Sequence, residues 1–167
     1  MKLWLIRHAK SEWKSAAVTD FERPLDARGE RDGACMAAWL ARQSDPASWI
    51  WSSDAVRASS TAGFVADGFI SAGARVVEDH RLYDAGPERL LEVIRETPPQ
   101  VTSAAVVAHN PGMTVLVNLL AGHNVTDDLP TFGLARLEVP GAWAALAYGR
   151  GRLELLTGPR HLDGEAA

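Results

Sequence analysis

The chain has 167 residues, 47% of them hydrophobic and 23% charged, with 9 Pro, 14 Gly and a single cysteine, Cys35. That length sits close to the usual single domain of roughly 100–150 residues, which buries about 70% of its unfolded surface without a staple, and one cysteine excludes an internal disulfide or a multi-cysteine metal site. A net charge of -4, from 17 basic and 21 acidic residues, leaves no global basic footprint for nucleic acid, and no apolar run approaches the ~20 residues of a membrane span.

Residues 3–6 are a short apolar run, expected to form a strand buried on both faces. The polar turn that follows makes this start too short for a signal peptide, and with the lone cysteine it points to a cytoplasmic protein. Residues 8–24 read as a long loop ending at Pro24, and loops of that length commonly carry function. Asp26 is placed to cap a helix reaching about residue 43, with Met36, Trp39 and Leu40 at core spacing and Cys35 as core or near-core filler. Residues 48–52 predict a second strand. Ser53 or Asp54 then caps a helix to about residue 69, with Val56, Phe64 and Val65 facing inward.

A third strand is expected over 75–78. Pro87 suits the first position of a helix reaching about 96. Residues 103–108, SAAVVA, are the cleanest buried strand. Asn110-Pro111-Gly112 turns that strand into a helix over 113–121, which Gly122 stops. Beyond it, 135–139, 143–148 and 153–157 predict strands forming an antiparallel edge on a mostly parallel sheet. The alternation implies a three-layer α/β/α domain spanning 1–163, with 164–167 a frayed tail.

Ligands of such sheets sit beyond the carboxyl ends of the strands. The first strand ends in Arg7-His8, the second runs into the helix carrying Arg57, and SAAVVA ends in His109. Neutral imidazole is a good nucleophile toward phosphorus. Two guanidiniums can grip phosphoryl oxygens in a planar fork and neutralise developing charge, and a second imidazole can donate to the same oxygens. Taken singly, His8 reads as a polar loop residue, Arg57 as a solvated helix residue and His109 as a satisfied buried histidine; their convergence is what carries the catalytic reading. His80, His123 and His161 have no motif around them and read as surface residues. Trp13, alone among the six tryptophans in a polar loop, is a candidate for the pocket entrance.

Three segments carry a family resemblance. Leu5-Ile6-Arg7-His8-Ala9-Lys10-Ser11-Glu12 resembles the opening signature of the histidine phosphatase superfamily, with its phosphoglycerate mutase-like fold. Ser53-Asp54-Ala55-Val56-Arg57-Ala58-Ser59-Ser60-Thr61-Ala62 is similar to the second motif, and Val107-Ala108-His109-Asn110 to the third. The resemblance covers roughly residues 2–121. Asp20-Phe21-Glu22-Arg23-Pro24-Leu25 with Ala27-Arg28-Gly29 is similar to the short phosphohistidine phosphatase (SixA-like) branch.

The resemblance implies a phosphatase without cofactor or metal, serving signal transduction. His8 would become phosphorylated, Arg7 and Arg57 would bind the phosphoryl group, and His109 would complete the pocket. Arg23 would sit at its rim, and Lys10 and Ser11, following His8 closely, are further candidates for contact with the anion. Larger members place a glutamate as general acid after a Leu-x step. The nearest match is Leu82-Tyr83-Asp84, so Asp84 is the candidate acid, with a turn residue as its plain alternative.

A phosphohistidine substrate tolerates a weak acid, because its imidazole leaving group can take a proton near neutral pH; an alkyl phosphate needs the acid far more. The short stretch between Arg57 and Asp84 leaves no room for a large lid. The expected substrate is therefore a phosphorylated protein, such as a histidine phosphotransfer domain, with a small phosphorylated metabolite as the alternative. Rival classes fit less well. No H-E-x-x-H spacing supports a metallohydrolase, Gly149-Arg150-Gly151 lacks the helix of a dinucleotide fingerprint, a mutase must enclose its intermediate, and a non-catalytic phosphate-binding module has no need of His8.

Overall fold

In a computed structural model, which describes residues 1–13 and 18–162, the elements run β1 (Lys2–Arg7), α1 (Ala27–Leu40), β2 (Trp49–Ser52), α2 (Val56–Gly68), β3 (Arg75–Glu78), α3 (Pro87–Arg95), β4 (Ser103–Ala108), α4 (Gly112–Ala121), β5 (Leu134–Glu138), β6 (Arg152–Thr157) and the short α5 (Pro159–Leu162). The strands form one sheet in the order β3-β2-β4-β1-β5-β6. The first four are mutually parallel, and β5 and β6 add an antiparallel edge. The fold is the expected three-layer α/β/α.

Alternation along the central strands explains the layers. Successive side chains point to opposite faces, so Leu3 and Leu5 of β1 join Ala104 and Val106 of β4 in one core, packed by α3 and α4. Trp4 and Ile6 join Ala105 and Val107 in the other, packed by α1 and α2. All six residues of β4 are buried, which is why its sequence reads as a continuous apolar run rather than an alternating one.

Local chemistry fixes the helix ends. The Asp26 carboxylate accepts from the Gly29 backbone N–H at 2.8 Å, capping α1, while the Asp26 N–H donates to the Lys10 carbonyl at 3.1 Å. That pair ties the start of α1 to the segment leaving β1. Pro87 opens α3, and Gly122, at φ 78°, closes α4.

Several expectations are corrected. Residues 143–148 do not form a strand. Trp143–Ala145 is a single 3-10 turn, whose Trp143 ring is buried and donates its indole N–H to the Val101 carbonyl at 2.7 Å; core filling overrides the local β pattern. Helix α1 stops at Leu40, short of 43. Neither Ser53 nor Asp54 caps α2, because Ala55 occupies that position without a side-chain bond. Val56 is exposed, and Cys35 lies on the solvent face of α1. The tail 164–167 lies outside the described residues. No helix among the described residues is long and apolar enough to cross a membrane.

A Cβ on Gly29 would collide with the Lys10 carbonyl oxygen, which is backbone and cannot step aside. Gly29→Ala should therefore lower stability by about 1–3 kcal/mol, the usual cost of overpacking, and a denaturant midpoint unchanged from the parent would contradict this close approach.

Candidate active site

At the carboxyl edge of the sheet lies a cavity of about 440 Å³. The four residues singled out on the strand and helix ends, Arg7, His8, Arg57 and His109, all line it. Register is the reason. β1 and β4 pair in parallel with Arg7 opposite Ala108, and the His8 N–H continues the ladder to the Ala108 carbonyl at 3.0 Å. The next residue of β4 is His109, so the two imidazoles leave adjacent strands together, with ring centroids 5.1 Å apart.

The orientation of His8 is set by its backbone. Nδ1 lies 2.7 Å from the Ala9 carbonyl oxygen. A carbonyl only accepts, so Nδ1 carries the proton and Nε2 presents a lone pair. Arg57 Nε donates to that Nε2 at 3.4 Å. Burial pushes the His8 imidazole down to about 4; the Ala9 bond opposes this, and the charges of Arg57, Arg7 and Arg23 add to it. His109 is pushed down to about 3, first by burial and then by His8 and Arg57. Its Nε2 is 2.8 Å from Ser53 Oγ. Thus Ser53, expected as a helix cap, holds the second histidine instead. Thr61 braces the same corner, accepting from the Ala9 N–H at 2.9 Å and donating to the Arg57 carbonyl at 2.7 Å.

The guanidiniums are held by different means. Arg7 Nη1 donates to the Leu129 carbonyl at 2.7 Å and lies 3.6 Å from Asp128. Arg57 is anchored by Asp20, with Nη1 on the Asp20 carbonyl at 2.6 Å and Nη2 on Oδ2 at 3.1 Å. Arg23 Nε donates to the other carboxylate oxygen of Asp20 at 3.1 Å, and its Cζ lies 4.2 Å from the centroid of the exposed Trp13 ring at the rim. The Tyr83 hydroxyl donates to Asp20 Oδ2 at 2.6 Å. That bond, with the two arginines, holds the Asp20 carboxyl at about 2, an anion at any physiological pH. Asp20 had no predicted role. In the sequence it stood only as the first residue of the segment resembling the SixA-like branch, three positions before Arg23; its other partners are distant in sequence.

The remaining candidates separate. Lys10 and Asp84 line the cavity, Asp84 from a left-handed backbone at φ 50°. Ser11 lines it too, but is buried beneath Arg23, whose Nη1 donates to its hydroxyl at 3.2 Å. His80 lies on the exposed rim, 3.0 Å from Asp54. His123 and His161 are exposed. Among the described residues no three His, Cys, Asp or Glu side chains gather as a metal site would require. The chemical capacity of the cavity is thus a neutral imidazole lone pair facing several cationic donors.

Known proteins share this arrangement of chain. The histidine phosphatase superfamily (branch 1) matches residues 3–87. An uncharacterized protein of Mycobacterium tuberculosis is 35% identical over 153 residues, covering 86% of this chain and 93% of that protein. The structure assigned as phosphohistidine phosphatase SixA of Agrobacterium tumefaciens superposes with a TM-score of 0.81 at 28% identity, covering 95% of this chain and 97% of that one. The protein histidine phosphatase SixA complexed with tungstate gives a TM-score of 0.77 at 23% identity, over 97% of this chain and 99% of that one.

Both imidazoles are neutral in the fold at pH values where a free imidazole, near 6.5, takes a proton. Between about pH 6.5 and 5, above the carboxylate range, the unfolded chain therefore binds more protons than the folded one, and stability falls as pH falls. Melting temperatures should decline across that window, and His109→Asn should flatten the decline; an unchanged slope in that variant would contradict a buried neutral His109.

Proposed function

The chain belongs to the histidine phosphatase superfamily, and we propose that it is a metal-independent phosphatase that passes the phosphoryl group through its own His8, with protein phosphohistidine as substrate. The observation that carries this is the His8 imidazole: its Nδ1 proton is fixed on Ala9, and its Nε2 lone pair faces the cavity beside Arg57. Burial among cations keeps that nitrogen unprotonated down to about pH 4, so the nucleophile needs no base to activate it.

In the first step His8 Nε2 attacks phosphorus in line. A bond from Nε2 to phosphorus forms while the substrate P–N bond breaks, and the electron pair leaves with the substrate imidazole, which takes a proton from solvent. Arg7, Arg57 and His109 hold the equatorial oxygens, where charge develops. Arg23 and Lys10 border the same oxygens, and Ser11 acts by holding Arg23. In the second step a water oxygen bonds to phosphorus as the Nε2–P bond breaks; the electron pair returns to Nε2, the water's protons pass to orthophosphate and solvent, and His8 is again neutral with its proton on Nδ1. The arginines and Lys10 supply the positive charge that a metal ion provides in other phosphatases.

A specific observation favours a second reading. Asp84 lies in the wall of the cavity, where a protonated carboxyl could assist an alkoxide leaving group, so a phosphomonoester of a small metabolite is the alternative. The two separate by substrate. Asp84→Asn should leave hydrolysis of a phosphohistidine peptide within about twofold; an alkyl phosphate that the parent enzyme hydrolysed as fast, and that lost about 10²-fold in this variant, would move the assignment to the metabolite.

His8→Ala should retain the circular dichroism of the parent and lose all turnover. Rapid quenching with labelled substrate should trap an acid-labile, base-stable phosphoenzyme whose label maps to His8. Label on His109, or turnover persisting in His8→Ala, would overturn the mechanism.

A further inference from the structure

A second cavity, of about 560 Å³, opens beside the first, and Arg7, Lys10 and Thr131 line both. The two therefore adjoin along a shared wall. The far wall of the second is built by Arg28, in the first turn of α1, and by Arg160 and His161 of α5. Three separate chain segments thus deliver cationic side chains to one groove. Against four Lys and Arg the lining holds a single carboxylate, Asp128, already 3.6 Å from Arg7 and accepting from the Asn110 amide at 2.9 Å. Arg28 has Asp32 at 3.5 Å on its own helix. Lys10 and Arg160 enter no ion pair among the described residues.

For a chain of net charge -4, that concentration runs against the overall balance. Cations brought together repel, and the arrangement gains when an anion enters among them. The first cavity contains the nucleophile and the donors for one phosphoryl group. The groove shares Arg7 and Lys10 with that cavity, and neither Asp20 nor Tyr83 lines it. We propose that this groove is a second anion subsite, receiving a carboxylate or phosphate carried by the same molecule whose phosphoryl group His8 attacks. The proposal rests on the phosphatase reading above and narrows its substrate class to molecules with an anionic group next to the scissile one. Such a group has two sources, an acidic side chain flanking a phosphohistidine or a second phosphate on a small metabolite.

Contact with a remote anion is the same in the ground state and the transition state, so it should appear in KM and leave kcat alone. Partly exposed ion pairs are screened by salt and contribute modestly, which sets the expected size at about five- to tenfold for two cations. The test variant is Arg28→Gln with Arg160→Gln, neither of which belongs to the catalytic cavity.

Four substrates separate the possibilities: phosphoramidate, a phosphohistidine peptide flanked by Asp and Glu, the same peptide flanked by Asn and Gln, and an alkyl phosphate with a second phosphate on the neighbouring carbon. The parent enzyme should favour the acidic peptide over the neutral one through KM, and lose that preference in the double variant and at high salt. Phosphoramidate should be hydrolysed equally by both proteins. If the double variant raises KM for the bisphosphate but not for the acidic peptide, the subsite stands and its ligand is a metabolite. Equal KM values for the acidic and neutral peptides together with a bisphosphate KM that the double variant leaves unchanged, or a double variant that weakens phosphoramidate equally, overturn the subsite. If nothing is hydrolysed, the phosphatase reading fails, and calorimetric titration of His8→Ala with the two peptides still decides the groove: tighter binding of the acidic peptide supports it, and equal affinities overturn it.

Discussion

The pairing of β1 with β4 is the constraint on which the rest of the site depends. Both strands are covered on both faces, and their register sets Arg7 against Ala108. One residue further on, each strand delivers a histidine. A slip of one position would turn every side chain of a strand to the opposite face, driving Trp4 and Ile6 out of one core and into the other. The distance between the imidazoles is therefore enforced by the whole hydrophobic interior rather than by any contact between the two rings.

Around that pair the structure combines two features that oppose each other elsewhere in proteins. A buried histidine beside carboxylates tends toward its charged form; here burial and guanidiniums act in the same direction, and the imidazole remains a base in a cationic cavity. The cationic charges that suit such a cavity to an anion are the same ones that help keep the His8 imidazole unprotonated. Ser53 and Thr61, both fully buried, hold the second imidazole and the start of α2 against this pair, so the geometry rests on interior hydrogen bonds rather than on mobile surface groups.

How much of this could be read in the chain depends on how local each feature is. The sheet was legible because β1 and β4 are buried runs bounded by polar residues, and α1 because Asp26 caps it within three residues. Arg7, His8, Arg57 and His109 were legible because each ends or directly follows a strand or lies in the first turn of a helix. Residues 143–148 were misread because the Trp143 ring satisfies its indole through Val101, a contact far along the chain. Ser53 was misread as a cap because capping is the commoner local use of serine, while its actual partner, His109, lies across the sheet. Asp20 stood within a recognisable segment but without a role, since Arg57 and Tyr83 reach it only after folding.

Asp20 has a consequence for discrimination. Its carboxylate is tethered against Arg57 and Arg23, which gives it a high effective concentration there. Dissolved carboxylic acids offer the same two coplanar oxygens from far lower concentration, so they have little to gain by competing. A phosphoryl group brings a third oxygen and a tetrahedral shape, which can reach Arg7 and His109 as well. In the phosphatase proposed above, this tether would select for the number and geometry of oxygens rather than for negative charge, before any substrate arrives.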